Sequence, residues 1–155
     1  MSNKYLFISP HCDDETLFGA YTLQAKKPIV AFVDHTSERQ REAKFALAIL
    51  GCKEYIFLKD INELKGFEGT VYAPALEGGH PLHDFCHNFA KENFTDVIYY
   101  STYRSGSDLQ PMGRFKVEAS PLMEIKKLEA LEAYKSQIEA TPWHFQLTNK
   151  DEYYA

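Results

Sequence analysis

Short apolar runs alternate with longer stretches of helical repeat along most of the chain. Residues 5–8 form the first apolar run and predict a strand, and residues 16–25 predict a helix. Residues 28–33 (PIVAFV) are continuously apolar and rich in β-branched side chains, the mark of a strand covered on both faces. Residues 37–50 predict a second helix, with Ser37 as its N-cap and Phe45, Leu47, Ile49 and Leu50 as apolar positions. Gly51 stands where a glycine closes a helix. Residues 55–58 and 71–73 predict two more strands. Residues 81–93 predict a helix with Leu82, Phe85, Phe89 and Ala90 on one face. Residues 97–100 predict a fifth strand, and residues 121–138 a last helix opened by a proline. This alternation predicts an α/β fold, a Rossmann-like three-layer sandwich with a mostly parallel sheet and right-handed crossovers. The polar stretch 103–113 reads as a long loop and a candidate lid, and residues 148–155 as an end that frays.

Length and charge narrow the picture. A chain of 155 residues predicts one domain, spanning 1–155, able to bury roughly 70% of its unfolded surface. A net charge of −5 argues against nucleic acid and against an anionic membrane as partner. There is no apolar run near 18 residues and no signal-peptide core, so neither membrane insertion nor export is expected. Three widely spaced cysteines, Cys12, Cys52 and Cys86, read as reduced thiols. Together these features predict a cytoplasmic protein. Aromatic residues, 14% of the chain, read first as core filling. Oligomeric state is left open.

The chemistry concentrates in two places. Ser9-Pro10-His11-Cys12-Asp13-Asp14-Glu15 packs one imidazole and three carboxylates between the first strand and the first helix. In an open α/β sheet, ligands bind at the carboxyl ends of strands. Such a set can supply nitrogen and oxygen ligands to a divalent ion and leave a carboxylate over as a base. Gly78-Gly79-His80-Pro81-Leu82-His83 opens a later helix, its glycines giving the backbone freedom to pass close to a ligand. Plainer readings stand beside these. Asp13 and Asp14 suit helix N-capping, and Glu15 suits a first-turn acid on the helix dipole. His80 and His83 suit a surface helix start. His87 lies four residues after His83 and, with Cys86, offers a different metal pair. His35 reads as a loop histidine, and His144 beside Trp143 as packing. Arg104, Asp108 and Arg114, in or near the long loop, are open substrate contacts.

His11-x-Asp13-Asp14-Glu15 after the first strand, joined to His80-Pro81-x-His83, resembles the PIG-L/LmbE family of zinc-dependent N-deacetylases. Arg39-x-x-Glu42-x-x-x-Ala46-x-x-x-Leu50-Gly51 is similar to the family's second-helix signature. Lys127-x-x-Ala130-Leu131-x-x-Tyr134-x-Ser136-Gln137 is similar to its late-helix signature. The resemblance implies one divalent ion per chain, zinc or another that His₂Asp accepts, held by His11, Asp14 and His83. It implies Asp13 as general base and His80 as stabiliser of the oxyanion, with an imidazolium as one allowed form. It also implies Arg39 and Asp60 as contacts to the sugar. The implied reaction removes the N-acetyl group from an N-acetylated amino sugar or its conjugate. Two departures stand out. The family usually has proline where Cys12 stands, which reads as a small apolar filler or an oxidation-sensitive thiol. It usually has aspartate where Leu82 stands, so His80 loses an acid partner. The chain is also shorter than typical relatives. A catalytically weakened member that binds sugar or metal without turnover is therefore an alternative, as is a metal-dependent phosphoesterase, although a second metal would need more ligands than the sequence offers. A dinucleotide-binding domain is disfavoured, because the first turn lacks a Gly-x-Gly-x-x-Gly loop.

Overall fold

The computed structural model describes residues 3–103, 113–145 and 151–155. Among these, seven strands form one sheet: β1 (Tyr5–His11), β2 (Ile29–Asp34), β3 (Tyr55–Phe57), β4 (Thr70–Pro74), β5 (Val97–Tyr100), β6 (Phe115–Lys116) and β7 (Tyr153–Tyr154). Their spatial order is β3-β2-β1-β4-β5-β7-β6. The first five pair parallel, and β7 lies antiparallel between β5 and β6. The helices are α1 (Asp14–Lys26), α2 (Ser37–Leu50), α3 (Pro81–Asn93), α4 (Pro121–Glu132), α5 (Lys135–Ala140) and α6 (Pro142–Phe145), with a 3₁₀ turn at Ile61–Leu64. Phe7, Phe32, Leu17, Leu23, Leu47 and Leu131 form one core, where α1, α2 and α4 cover the sheet. Leu6, Ile8, Val71, Ile61, Leu64, Cys86 and Phe89 form the other, beneath α3 and the 3₁₀ turn. Strands covered on both faces read as unbroken apolar runs, which is why residues 6–8 and 30–32 carry no alternation. The result is the three-layer α/β sandwich that the alternation predicts.

From β1 the chain winds outward to β2 and β3, then returns to lay β4 against the other flank of β1. Strand order reverses between β1 and β4. At such a point the loops leaving the carboxyl ends diverge and open a crevice. The two chemistry-bearing motifs follow these two strands.

Several expectations are corrected. Thr36, not Ser37, caps α2; its extended backbone lets its hydroxyl accept the Arg39 N–H. Gly51 does close the helix, at φ +81°. Phe45 is 70% exposed, whereas Leu47 and Leu50 face the core as expected, joined by Ala43 and Ala46. On α3 the buried face is His83, Cys86, Phe89 and Ala90, while Phe85 points outward. The single helix expected over 121–138 breaks at Ala133-Tyr134, where Tyr134 leaves helical backbone (ψ 58°) and buries its ring. The end expected to fray is in part fixed: Glu152 is fully buried and β7 sits inside the sheet. β6 and β7, of two residues each, and α6, a single turn, carry too little periodicity to be read from sequence. Most of the candidate lid, including Arg104 and Asp108, lies outside the described residues, as do residues 148–150 of the tail. Arg114 is described and lies beside Phe115. All three cysteines are buried and free of disulfides. No helix among the described residues is long and apolar enough to cross a membrane.

Candidate metal centre

His11 ends β1 and Asp14 begins α1, with only Cys12 and Asp13 between them. Asp13 occupies the N-cap position, yet its side chain makes no capping bond. Asp14 turns its carboxylate back toward the strand. Its Oδ2 accepts the His11 backbone N–H at 2.9 Å and stands 3.0 Å from His11 Nδ1. Neither aspartate is therefore engaged in capping the helix. Glu15 holds the turn instead. Its Oε2 accepts the Asp13 N–H at 3.0 Å and the Ser9 hydroxyl at 3.2 Å. Its Oε1 accepts the hydroxyls of Thr16 and Tyr134. Glu15 is thus a first-turn acid, as read, and also a fully buried brace, and burial, opposed only in part by Tyr134, pushes its carboxyl up to about 8. Cys12 is buried as well and burial pushes its thiol far up, which favours the small apolar filler over the oxidation-sensitive thiol.

The second motif is aimed by α3. Asp84, in its first turn, accepts the backbone N–H groups of Glu77, Gly78 and Gly79 and so folds the approach loop onto the helix start. Gly78 takes φ +76°, which favours glycine. His80 is the N-cap and Pro81 the first helical residue. One turn on, His83 is 1% exposed, with Nε2 3.2 Å from Asp14 Oδ2 and Nδ1 3.1 Å from Glu77 Oε2. The His80 ring stacks on that of His83 with centroids 3.8 Å apart, and the His11 ring lies within 5.4 Å of both.

These atoms fit a metal ion. Ligands at about 2.0–2.1 Å in a tetrahedral zinc site stand roughly 3.3 Å from one another. The contacts of Asp14 Oδ2 with His11 and His83, at 3.0 and 3.2 Å, match that spacing. Candidate ligand atoms of His11, His80 and His83 all lie within 4.8 Å of one another. Both His83 nitrogens are enclosed at ion-pair distance from a carboxylate without the alignment of a hydrogen bond, so their bonding capacity is in reserve. The charges agree with this arrangement. Burial pulls the His11 and His83 imidazoles down, but Asp14 outweighs it and raises both. Burial pushes Asp14 up, but His83 and His11 hold it far below the usual carboxylate range. Burial and the neighbouring Asp14 push Asp13 well above that range. His80 goes the other way, lowered by burial and by the positive His83 and His11. Its Nδ1 is enclosed and makes no hydrogen bond among the described residues. His80 is thus favoured as a neutral ring, not the imidazolium allowed for above, and Leu82 supplies no acid to offset the shift.

A cleft of about 290 Å³ opens over this cluster. His11, Asp13, Asp14, His80 and His83 form its floor, and Asp34, Arg39, Tyr103, Gln137, Thr141 and His144 its walls. Arg39 reaches it as expected. Its Nη1 is 4.0 Å from Asp34 Oδ2, and its Nε is enclosed without a hydrogen bond among the described residues. Asp60 does not reach it. Its carboxylate caps the 3₁₀ turn by accepting from Asn62, and it is exposed. His35 is held by Leu58 O and Gln40, and His87 by Pro74 O, so neither joins the cluster. His144 packs as read, with its ring centroid 4.7 Å from Tyr103 and 5.7 Å from Trp143, and it also lines the cleft. The two helix signatures meet: Glu42 accepts from the backbone N–H and hydroxyl of Ser136, and Tyr134 reaches Glu15. Asp34 closes β2 on the crevice side and was discoverable by the same strand-end rule as His11. Glu77 carries no pattern in the sequence that marks it.

No family model matches the chain, and no curated protein does. Solved structures share its fold. One is the conserved protein TT1542 from Thermus thermophilus, at 19% identity and a TM-score of 0.65, over 92% of this chain and 84% of that one. Another is GalB, the 4-carboxy-2-hydroxymuconate hydratase from Pseudomonas putida, at 13% identity and a TM-score of 0.61, over 92% and 83%. At these identities the likeness is one of fold.

Proposed function

We propose that the chain is a metal-dependent amide hydrolase of the PIG-L/LmbE kind, removing the N-acetyl group from an N-acetylated amino sugar or its conjugate. The observation that carries this reading is the convergence of His11 Nδ1 and His83 Nε2 on one oxygen of Asp14, in a cleft that also holds Asp13 and His80. A divalent ion bound by those three residues supplies Lewis acidity toward a carbonyl oxygen and lowers the proton affinity of water. Asp13, its carboxyl raised by burial and Asp14, takes a proton from the attacking water near neutral pH and returns it to the leaving nitrogen. His80, a neutral ring on the cleft floor, offers an N–H to the oxygen that gains charge. Arg39 offers its enclosed Nε–H to the part of the substrate away from the scissile bond.

A cytoplasmic setting accompanies this reading, in line with three free, buried thiols. The test is metal analysis of the purified chain, paired with amine release from a panel of N-acetylated sugars. About one divalent ion per chain, with amine release that Asp13→Ala abolishes while keeping the ion, is the expected result. Absence of any bound ion after supply of zinc would overturn the reading. A second reading, binding without turnover, is favoured by one observation, the His80 ring left without an acid partner. Bound ion and tight sugar binding with no amine release would select it. Because a hydratase shares the fold, 4-carboxy-2-hydroxymuconate is assayed beside the panel for addition of water rather than release of amine.

A further inference from the structure

The metal reading above leaves Glu77 without a role, although its side chain is enclosed beside the candidate ligands. That side chain is 4% exposed, and its Oε2 stands 3.1 Å from His83 Nδ1. The Thr102 hydroxyl, just past the carboxyl end of β5, donates to the same oxygen at 3.1 Å. The Glu77 backbone N–H is fixed at 2.7 Å by Asp84, which follows His83 directly on α3. Ring and carboxylate are therefore set by one rigid element, with a second strand fixing the carboxylate from behind. His83 has a carboxylate at ion-pair distance on each edge, Glu77 at Nδ1 and Asp14 at Nε2, neither aligned as a hydrogen bond.

We infer that Glu77 is the positioning residue of the metal centre: it holds the His83 ring in the tautomer that bears its proton on Nδ1 and so leaves the Nε2 lone pair to the ion. The inference rests on the metal reading and extends it. A ligating imidazole whose other nitrogen faces a carboxylate is fixed in rotation and made a stronger donor. The contrast with His80 sharpens the point. Neither ring has an aligned hydrogen bond at Nδ1, but that of His83 has the Glu77 carboxylate 3.1 Å away, while among the described residues no carboxylate stands at ion-pair distance from His80. In this chain the acid support goes to the ligand histidine rather than to the histidine placed at the oxyanion. Thr102 then acts at one further remove, by fixing which oxygen of Glu77 meets the ring.

The test is zinc and cobalt titration of the wild-type chain and of Glu77→Gln, Glu77→Ala and Thr102→Val, with the cobalt absorption spectrum recorded at saturation and folding checked by circular dichroism. Loss of about 10- to 100-fold in affinity for Glu77→Ala is expected, with a smaller loss for Glu77→Gln, which keeps an acceptor oxygen but no charge. The cobalt bands should shift in both, because the ring that binds the ion turns. Thr102→Val should weaken binding least. If Glu77→Ala fails to fold, Glu77→Gln and Thr102→Val carry the comparison. Wild-type binding with unchanged affinity and spectrum in the folded Glu77 variants would overturn the inference and leave the metal reading standing. A wild-type chain that binds neither ion would overturn both.

Discussion

Two clusters of buried charge lie along the same helix, and they differ in whether their members satisfy one another. The first turn of α1 borders the candidate centre, where two imidazoles converge on one carboxylate oxygen and enclosed nitrogens of His80 and His83 lack aligned hydrogen bonds. One and two turns on, Lys127 of α4 and Glu152 of the tail meet the same helix at 2.8 Å from each other. There Lys127 Nζ donates to Leu17 O at 2.8 Å, and Glu152 Oε1 accepts the Tyr21 N–H at 3.0 Å. The pair slots into the backbone ladder of α1 and is bonded on both sides. A buried charged group costs several kcal/mol unless it is paired and hydrogen-bonded. The second cluster meets that condition from within the chain, whereas the first meets it in part and keeps ligand atoms in reserve. The difference separates a fastening from a site, although both are buried and both charged.

If the contrast is sound, each cluster should fail in its own way. The largest effect belongs to the site. Asp13→Ala should lower turnover about 10²- to 10⁴-fold, the usual share of a general base, while metal content stays at the wild-type level. Its melting temperature should hold or rise, since the variant removes an enclosed carboxylate that burial already disfavours. Steady-state kinetics, metal analysis and a thermal melt on one preparation decide this. A fall in melting temperature that tracks the loss of turnover would place Asp13 with the fastening.

The fastening should lose stability and nothing else. Lys127→Met strands Glu152 without its cation and should cost about 3–5 kcal/mol at neutral pH, with metal affinity unchanged. The cost should depend on pH. Burial, the larger influence, pushes the Glu152 carboxyl up, and Lys127 pulls it back part of the way. Without Lys127 the carboxyl rises further. A group whose pKa is higher folded than unfolded stabilises the fold fully below its unfolded value, here near 4.5, and loses that contribution as pH climbs through the folded value. Lys127→Met should therefore be weakest at pH 8 and recover toward wild type at pH 5. Urea unfolding at the two values reads it, and an equal cost at both would mean lost packing rather than a stranded charge. Glu152→Gln keeps an acceptor for the Tyr21 N–H but leaves the buried Lys127 cation without its counter-charge, so it too should cost several kcal/mol, without the recovery toward pH 5.

How much of this contrast was legible in the chain depends on range. β1, β2, α2, α3 and β5 were read to within a few residues, because burial on both faces or along one stripe writes itself into local periodicity. His11, Asp13, Asp14, His80 and His83 stood out as candidates because they fall in two compact motifs after β1 and β4, and the sheet order brings those ends together. Of the two expected sugar contacts, Arg39 lines the cleft and Asp60 does not, since an exposed acid before Asn62 serves equally as a local cap. What stayed hidden is what depends on partners far along the chain. Glu15 reaches Tyr134, Glu42 reaches Ser136, and Lys127 reaches Glu152 across the whole α1–tail interface. Nothing in a carboxylate's neighbours in sequence distinguishes a brace from a solvated acid, so Glu77 and Glu152 were both missed.

Smaller effects sharpen the edge of the site. Arg39→Ala should raise KM about 10- to 100-fold with kcat little changed, the loss of one charge-assisted hydrogen bond to bound substrate. Asp60→Ala, outside the cleft, should leave both constants where they were. Equal effects from the two variants would mean that the cleft extends toward the 3₁₀ turn and that Arg39 has no privileged place in it.

The smallest effect is expected inside the motif itself. Cys12 stands between His11 and Asp13, so its position in sequence marks it as reactive, yet it is fully buried and its thiol lies within 3.8 Å of Asp34 O. Burial and the nearby Glu15 carboxylate both oppose the thiolate that reactivity requires. Cys12→Ala removes one buried sulfur and should cost about 1 kcal/mol, with turnover and metal content intact. In the folded wild-type chain, Cys12 should react with iodoacetamide no faster than the chain unfolds, a rate that peptide mapping of the modified protein resolves from those of Cys52 and Cys86. Faster labelling at Cys12 alone would show that the turn between β1 and α1 opens by itself, and the brace that Glu15 and Tyr134 provide would then be weaker than the fastening two turns along the helix.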